Sequence, residues 1–271
     1  MKRTLAVIIL ALAAFNVAHA QAERRAAASN TPARAKSGAK FAAADKNPKA
    51  SAGDEEVERL LLRNLMAQGG IAIVRIKTRI TRGRVEMSES PIPGSYESYE
   101  KVPGKKMEVL NAPIGQFIYT ADAGRRWGKS PWGLAVSLGG GEGESEGGGA
   151  SGAPAFNWRR YFSSAKVRGR AVLDGREMVV LDATPKGERP VHMYFDAETW
   201  LLIKEEFSPH TPQQEDEFKA VVIDRYDVVD GVKVPTVFRQ IFTHYTLTFR
   251  IYEVKHNVPI DDALFRDPNG K

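Results

Sequence analysis

The chain has 271 residues, 39 Lys and Arg against 33 Asp and Glu (net +6), 42% hydrophobic residues and no cysteine. That length suits one large domain or two small ones. The lack of cysteine excludes disulfides, thiolate-bound zinc, iron–sulfur clusters and covalently attached haem, so no such cofactor is expected.

The charge is uneven along the chain. Residues 1–20 hold +2, residues 21–53 carry seven basic and two acidic residues, and residues 54–271 carry 30 basic and 31 acidic ones. The basic balance therefore lies outside the body, and a nucleic-acid partner, which needs a basic folded face, is not indicated. Met1-Lys2-Arg3, an apolar run over 5–15 and Ala18-His19-Ala20 read as a secretory signal peptide cut after Ala20. The run is too short for a spanning helix, which needs about 20 apolar residues. No cysteine follows the cut, so the protein is not itself a lipoprotein. The expected location is the periplasm. Residues 21–53 are rich in Ala, Lys, Arg, Ser and Asn with one aromatic, Phe41, and read as a disordered linker. The folded domain is expected over 54–271.

Asp54-Glu55-Glu56 opens a helix, its acids placed where the dipole favours them. Val57, Leu60, Leu61, Asn64 and Leu65 fall at helical spacing, and Gly69-Gly70 ends it. From Ile71 the period changes to two. Ala72, Val74, Ile76, Thr78 and Ile80 face one way, and Arg75, Lys77 and Arg79 the other. With Arg82 and Arg84 these bases read as a solvated strand face rather than a binding patch. Strand-like runs follow at 94–101, 105–112, 115–121, 166–173, 176–184, 190–196, 200–207, 217–229, 232–242 and 245–254. Asp174-Gly175 and Asp230-Gly231 are strong hairpin signals. Residues 139–153 form a polar, glycine-rich loop. After it Trp158, Tyr161, Phe162 and Ala165 fall at i, i+3, i+4 and i+7, the stripe of a short second helix. Consecutive hairpins imply an antiparallel sheet with one wet and one dry face. About ten strands with two short helices must curl, split or be covered, and an incompletely covered dry face is an apolar hollow.

The chemistry-bearing motifs are weak. Gly143-x-Ser145-x-Gly147 and Gly147-x-Gly149-x-x-Gly152 lie in the low-complexity loop, without the strand that a nucleophile elbow or a dinucleotide site requires. His192, His210, His244 and His256 show no metal-ligand spacing, and Asp174, Asp196, Glu198 and Asp230 flank turns. No catalytic or metal-binding residue is assigned, and no enzyme is expected. Trp127 and Trp132 bracket a Gly-Lys-Ser-Pro segment, either as loop packing or at the mouth of the hollow.

Three stretches carry a resemblance: Tyr194-Phe195-Asp196-x-Glu198-Thr199-x-Leu201-Leu202, Gly231-Val232-Lys233-Val234-Pro235, and the closing run from Asn257 to Phe265. With the order of runs over 65–265, they make the chain similar to outer-membrane lipoprotein-sorting proteins, the LolA-like group of periplasmic carriers. Trp200 departs from the pattern, standing where similar chains often have glycine. The resemblance implies a mainly β (α+β) fold, in which a strongly curved antiparallel sheet forms a half-open barrel with helices covering its concave face. It also implies a lipid or a lipoprotein acyl chain as ligand, delivered or received by envelope membrane proteins, and no catalytic residues. On the apolar faces read above, Leu61 and Leu65 would supply one lid and Trp158, Tyr161 and Phe162 a second. Val74, Ile76, Phe238, Leu247 and Phe249 would line the wall, with Trp127 and Trp132 at the rim. The alternative is an accessory or interaction protein of the cell envelope whose concave face is filled by its own side chains.

Overall fold

A computed structural model describes residues 52–266 except 103, 113–114, 123–124, 132–134, 138–157, 187–188 and 209–217. The stretches read from the sequence as a signal peptide and a linker (up to residue 51), the 139–153 stretch with its two glycine motifs, Trp132 and His210 lie outside the described residues.

Helix α1 spans Ala52–Gln68, with Val57, Leu60, Leu61 and Leu65 buried along one stripe. It begins two residues before the acidic cluster. It ends where the Gly70 N–H reaches back to the Leu65 carbonyl at 2.9 Å. The sequence then predicts a strand from Ile71, but the chain makes a further helical turn, α2 (Ile71–Val74). Ile73 and Ile76, three residues apart, are the buried pair. A short apolar run carries both periods, and the tight exit through two glycines selects the helical one.

Thirteen strands follow among the described residues: β1 (Thr78–Met87), β2 (Ser90–Lys101), β3 (Lys105–Ala112), β4 (Gly115–Asp122), β5 (Arg125–Lys129), β6 (Ala135–Ser137), β7 (Phe162–Leu173), β8 (Arg176–Pro185), β9 (Val191–Asp196), β10 (Leu202–Phe207), β11 (Phe218–Val229), β12 (Val232–Phe242) and β13 (Thr246–His256). One helical turn, α3 (Trp158–Tyr161), precedes β7. The expected second helix is thus cut short: Phe162 and Ala165 already pair with Pro185 and Ala183 of β8, whose open edge offers ladder partners. A 3₁₀ turn, Asp262–Phe265, closes the described chain.

All thirteen strands form one antiparallel sheet in the order β6-β5-β4-β3-β2-β1-β13-β12-β11-β10-β9-β8-β7. The sheet is curved and does not close: β6 and β7, sequential in the chain, stand at opposite edges. The meander starts in the middle with β1, runs outward to β6, resumes at the far edge and returns to set β13 beside β1. Both Asp-Gly turns form as read. Asp174 and Gly175 (φ 51° and 76°) and Asp230 and Gly231 (φ 51° and 77°) all adopt left-handed backbone, the type I′ geometry that suits the strand twist. Between β1 and β13 the register slips at Arg82/Gly83. A Cβ on Gly83 would stand 2.8 Å from the Arg250 carbonyl oxygen and 2.7 Å from Ile251 Cδ1, so only glycine admits this approach.

The outer face is not uniformly wet. Val109, Thr120 and Trp127 are buried on it, and the 3₁₀ turn with Phe265 packs against β3 and β4. Its polar part is organised by Arg82, which reaches Glu97 and Glu253, while the Tyr99 hydroxyl also donates to Glu97.

Candidate ligand-binding face

Residues directly paired across a ladder share a face, so the register maps the inner face row by row. Gln240, Leu247 and Met87 form the first row. Phe238, Phe249, Val85 and Gly94 form the second. Ile251, Gly83, Tyr96, Leu110 and Phe117 form the third. The fourth row is Val254, Thr81, Ser98, Glu108 and Tyr119; the fifth is His256, Arg79, Glu100, Lys106 and Ala121. The face therefore grades from apolar to charged along the strands.

Three packed clusters tile it. One gathers Val85, Tyr96, Leu110, Phe117, Phe218, Phe242, Tyr245, Leu247, Phe249 and Ile251. A second sets Val57, Leu60 and Leu61 of α1 with Trp158 against Leu181, Ala183, Val191 and Phe195. A third joins Leu65, Ile73 and Ile76 to Val232 and Val234. Phe207 borders the first and second clusters, and Val254 the first and third, so the apolar surface is continuous. Aromatic rings give the first cluster its shape. Phe238 stacks on Phe249 at 4.6 Å, Tyr96 meets Phe249 edge-on at 5.1 Å, and Phe207, Phe218, Phe242 and Tyr245 follow in contact. Helix α1 packs mainly on β7 and β12.

At the polar end the Tyr96 hydroxyl donates to Glu108 Oε1 at 2.7 Å, and Lys106 Nζ lies 3.1 Å from the same carboxylate. Burial, followed by the Glu108 charge, pushes the Tyr96 phenol well above its ordinary range. Burial pulls the Lys106 ammonium down, but Glu108 and Glu100 outweigh it and hold its affinity for the proton above the usual lysine value. Arg79, expected on a solvated face, is buried here: β1 alternates without a break from Val85 through Gly83 and Thr81, which sets Arg79 on the inner face, where its Nε donates to His256 Nε2 at 3.1 Å.

The residues singled out from the sequence distribute over all three clusters. Leu247 and Phe249 are buried in the first, with Phe238 half-buried beside them. Leu61 and Trp158 are buried in the second, bordered by Phe162. Leu65 and Ile76 are buried in the third, with Val74 at its margin. Val74 and Ile76 reach the face from α2 and the connector after it, not from a strand. Tyr161 is half-buried in α3, outside these clusters. Trp127 pairs with Thr120, which pairs with Met107. That row is opposite to the one holding Leu110 and Phe117, so Trp127 lies on the outer face rather than at the rim of the inner one. Missed from the sequence were Tyr96, Leu110, Phe117, Phe207, Phe218, Phe242 and Tyr245. Their alternation was visible, but the shared face was not. Among the described residues no three His, Asp or Glu side chains gather as a metal site. His192 sits on the outer face, its Nδ1 2.8 Å from Asp182.

No protein-family model matches the chain, and no curated protein does. Solved structures do. A DUF1329 family protein from Desulfovibrio piger matches with a TM-score of 0.57 at 12% identity, over 82% of this chain and 100% of that one. A LolA superfamily protein from Nitrosomonas europaea matches with a TM-score of 0.53 at 13% identity, over 78% and 97%. An outer membrane lipoprotein-sorting protein domain from Vibrio parahaemolyticus matches with a TM-score of 0.52 at 10% identity, over 78% and 96%. At these identities the likeness is one of fold, and the fold is LolA-like.

Proposed function

We propose that the protein is a non-enzymatic carrier of the cell envelope, which holds a lipid or a lipoprotein acyl chain against its inner face. The observation that carries this reading is the continuous apolar surface on an unclosed sheet, with a charged row at one end. The basic–apolar–small pattern of residues 1–20 supports export to the periplasm, where donor and acceptor membrane proteins would meet it. Burial of apolar area is worth about 25 cal/mol per Å². A chain burying roughly 300 Å² gains about 7 kcal/mol before association costs, enough for micromolar binding without a specific polar contact. Phe238 is the side chain to test, because it is half-buried and stacked on Phe249 rather than sealed in the core.

The purified protein should enhance the fluorescence of anilinonaphthalene sulfonate, and palmitate should displace the dye. Phe238→Ser should weaken displacement at least tenfold while the melting transition persists. Leu65→Glu is a poor probe, since Leu65 is packed in the third cluster and a buried, unpaired charge there should destabilise the fold itself. A folded protein with no displaceable signal would favour the second reading, an accessory or interaction protein with a filled inner face. That reading has its own support: Leu110, Phe117 and Phe249 are only 1–2% exposed.

A further inference from the structure

Helix α1 buries one stripe and leaves the opposite one uncovered. Leu62 and Met66, one turn apart, are 47% and 64% exposed, and Ile71, the first residue of α2, is 65% exposed. Met66 reaches the start of α2: a Cβ on Gly70, the residue before Ile71, would stand 3.2 Å from Met66 Sδ. Beside them the Thr199–Trp200 turn closes a groove of about 500 Å³, whose charged lining residues are Arg59 and Arg63, with no carboxylate. The Arg63 guanidinium lies 4.3 Å over the Trp200 ring. Trp200 holds this place at φ 60°, a conformation that costs a bulky residue roughly 1–2 kcal/mol. Its N–H donates to the Asp196 carbonyl, and its own carbonyl accepts from Asn64 Nδ2 on α1, both at 2.8 Å. The turn is therefore fastened to the helix with a tryptophan at the seam.

We infer that this strip, Arg59, Leu62, Arg63, Met66, Ile71 and Trp200, docks the protein on an anionic lipid surface. Its parts are those of an interfacial helix: protruding apolar side chains, a tryptophan, and guanidinium groups whose stems lie along apolar surface while their heads stay in water. Arg75 and Lys77 continue the positive charge, both exposed. In the sequence, a segment with seven basic and two acidic residues leads directly into α1. The body as a whole, with 30 basic and 31 acidic residues over 54–271, supplies no net attraction of its own. Glu55, Glu56 and Glu58, exposed at the N-terminal end of α1, orient the contact toward the C-terminal half of the helix and α2. Protruding side chains with two arginines and no acid suit a negatively charged plane better than a folded partner, which would present its own apolar pocket.

Vesicle flotation tests this, using the purified protein with unilamellar vesicles of phosphatidylethanolamine and phosphatidylglycerol or of phosphatidylcholine alone. The protein should float with the anionic vesicles, less so as salt rises, and not with phosphatidylcholine. Met66→Asp and Ile71→Asp should each lower partitioning about tenfold, with unchanged melting because both side chains are exposed. Arg59→Gln should lower it about fivefold, the loss expected for one basic residue near an anionic surface. The blue shift in tryptophan emission on binding should be lost in Trp200→Phe. Three results overturn the inference: no binding to anionic vesicles; equal binding by Met66→Asp and the parent, which would leave the basic N-terminal segment as the cause; or binding to an acidic amphipathic peptide without binding to vesicles, which would give the strip to a protein partner. The outcome is independent of dye displacement from the inner face.

Discussion

Asp196 shows how one side chain organises a turn. Its Oδ1 accepts from the Thr199 N–H at 2.6 Å, the Thr199 hydroxyl at 2.8 Å and the Glu198 N–H at 3.2 Å, and its Oδ2 meets Arg176 at 2.5 Å. Burial pushes the carboxyl's proton affinity up, but the Thr199 bonds and the Arg176 charge outweigh it and hold it below the usual carboxylate range. The Asp-x-Glu-Thr run is thus a turn device, and its geometry forces Trp200 into the left-handed region where glycine was expected. His256 is the second such residue. Arg79 Nε–H donates to its Nε2, so the ring carries its proton on Nδ1, facing Asp230 Oδ2 at 3.1 Å. Burial first, and the Arg79 charge next, hold the imidazole below its ordinary value, with Asp230 only partly opposing them. The unfolded chain, whose histidine titrates near 6.5, therefore takes up the proton before the folded one does. This contribution to stability is complete above about pH 6.5 and is lost as pH falls through the depressed folded value. Urea melts between pH 5 and 8 should show the parent losing stability on the acid side more steeply than His256→Gln. Equal slopes would remove His256 as the cause.

Among the elements, the junction of α1 with the β11–β12 hairpin fixes where the helix lies on the sheet. Gly69 has φ 134°, and a Cβ there would stand 2.7 Å from the Gly231 carbonyl oxygen and 3.2 Å from Val232 Cα. Both neighbours are backbone, and neither yields as a side-chain tip would. Gly69→Ala should therefore cost about 2 kcal/mol or more, through strain and overpacking together. Denaturant unfolding measures the loss; a change below about 0.5 kcal/mol, typical of a surface substitution, would mean that the helix end is free to shift. Alanine at Gly175, whose added Cβ meets nothing within 4 Å, is the control for backbone conformation alone.

The sheet as a unit depends on its seam. The first strand in the chain pairs with the last, so β1 and β13 sit in the middle of the ladder, with six strands on one side and seven on the other when each is counted outward from that seam. The largest aromatic cluster crosses it. A chain truncated before Thr246 loses Leu247, Phe249 and Ile251 and leaves the β1 and β12 edges unpaired. It should fail to fold, not form a smaller sheet, and near-ultraviolet circular dichroism should show no fixed aromatic signal. A native-like signal would mean that the two arms fold separately.

Most strands could be placed from sequence, because alternation and the Asp-Gly turns are local. Side chains of period two need only their neighbours, and a type I′ turn needs only two residues able to take positive φ. The runs at 105–112, 176–184 and 232–242 coincide with β3, β8 and β12 to within one residue. The stretches that failed were short and ambiguous: Ile71 to Ile76, where one apolar run fits both periods, and Trp158 to Ala165, where the edge of β8 competed with a helix. Which face each strand turned inward could not be read locally, since a single slipped residue reverses it. Pairing of β1 with β2 put Arg79 on the same face as Gly83 and Val85 and turned the more apolar Ile80 away, and the ladder through Thr120 put Trp127 outside. Long-range pairing alone drew Tyr96, Phe117, Phe218 and Phe249 onto one surface, because the chain had to travel to the far edge and back before β13 could meet β1.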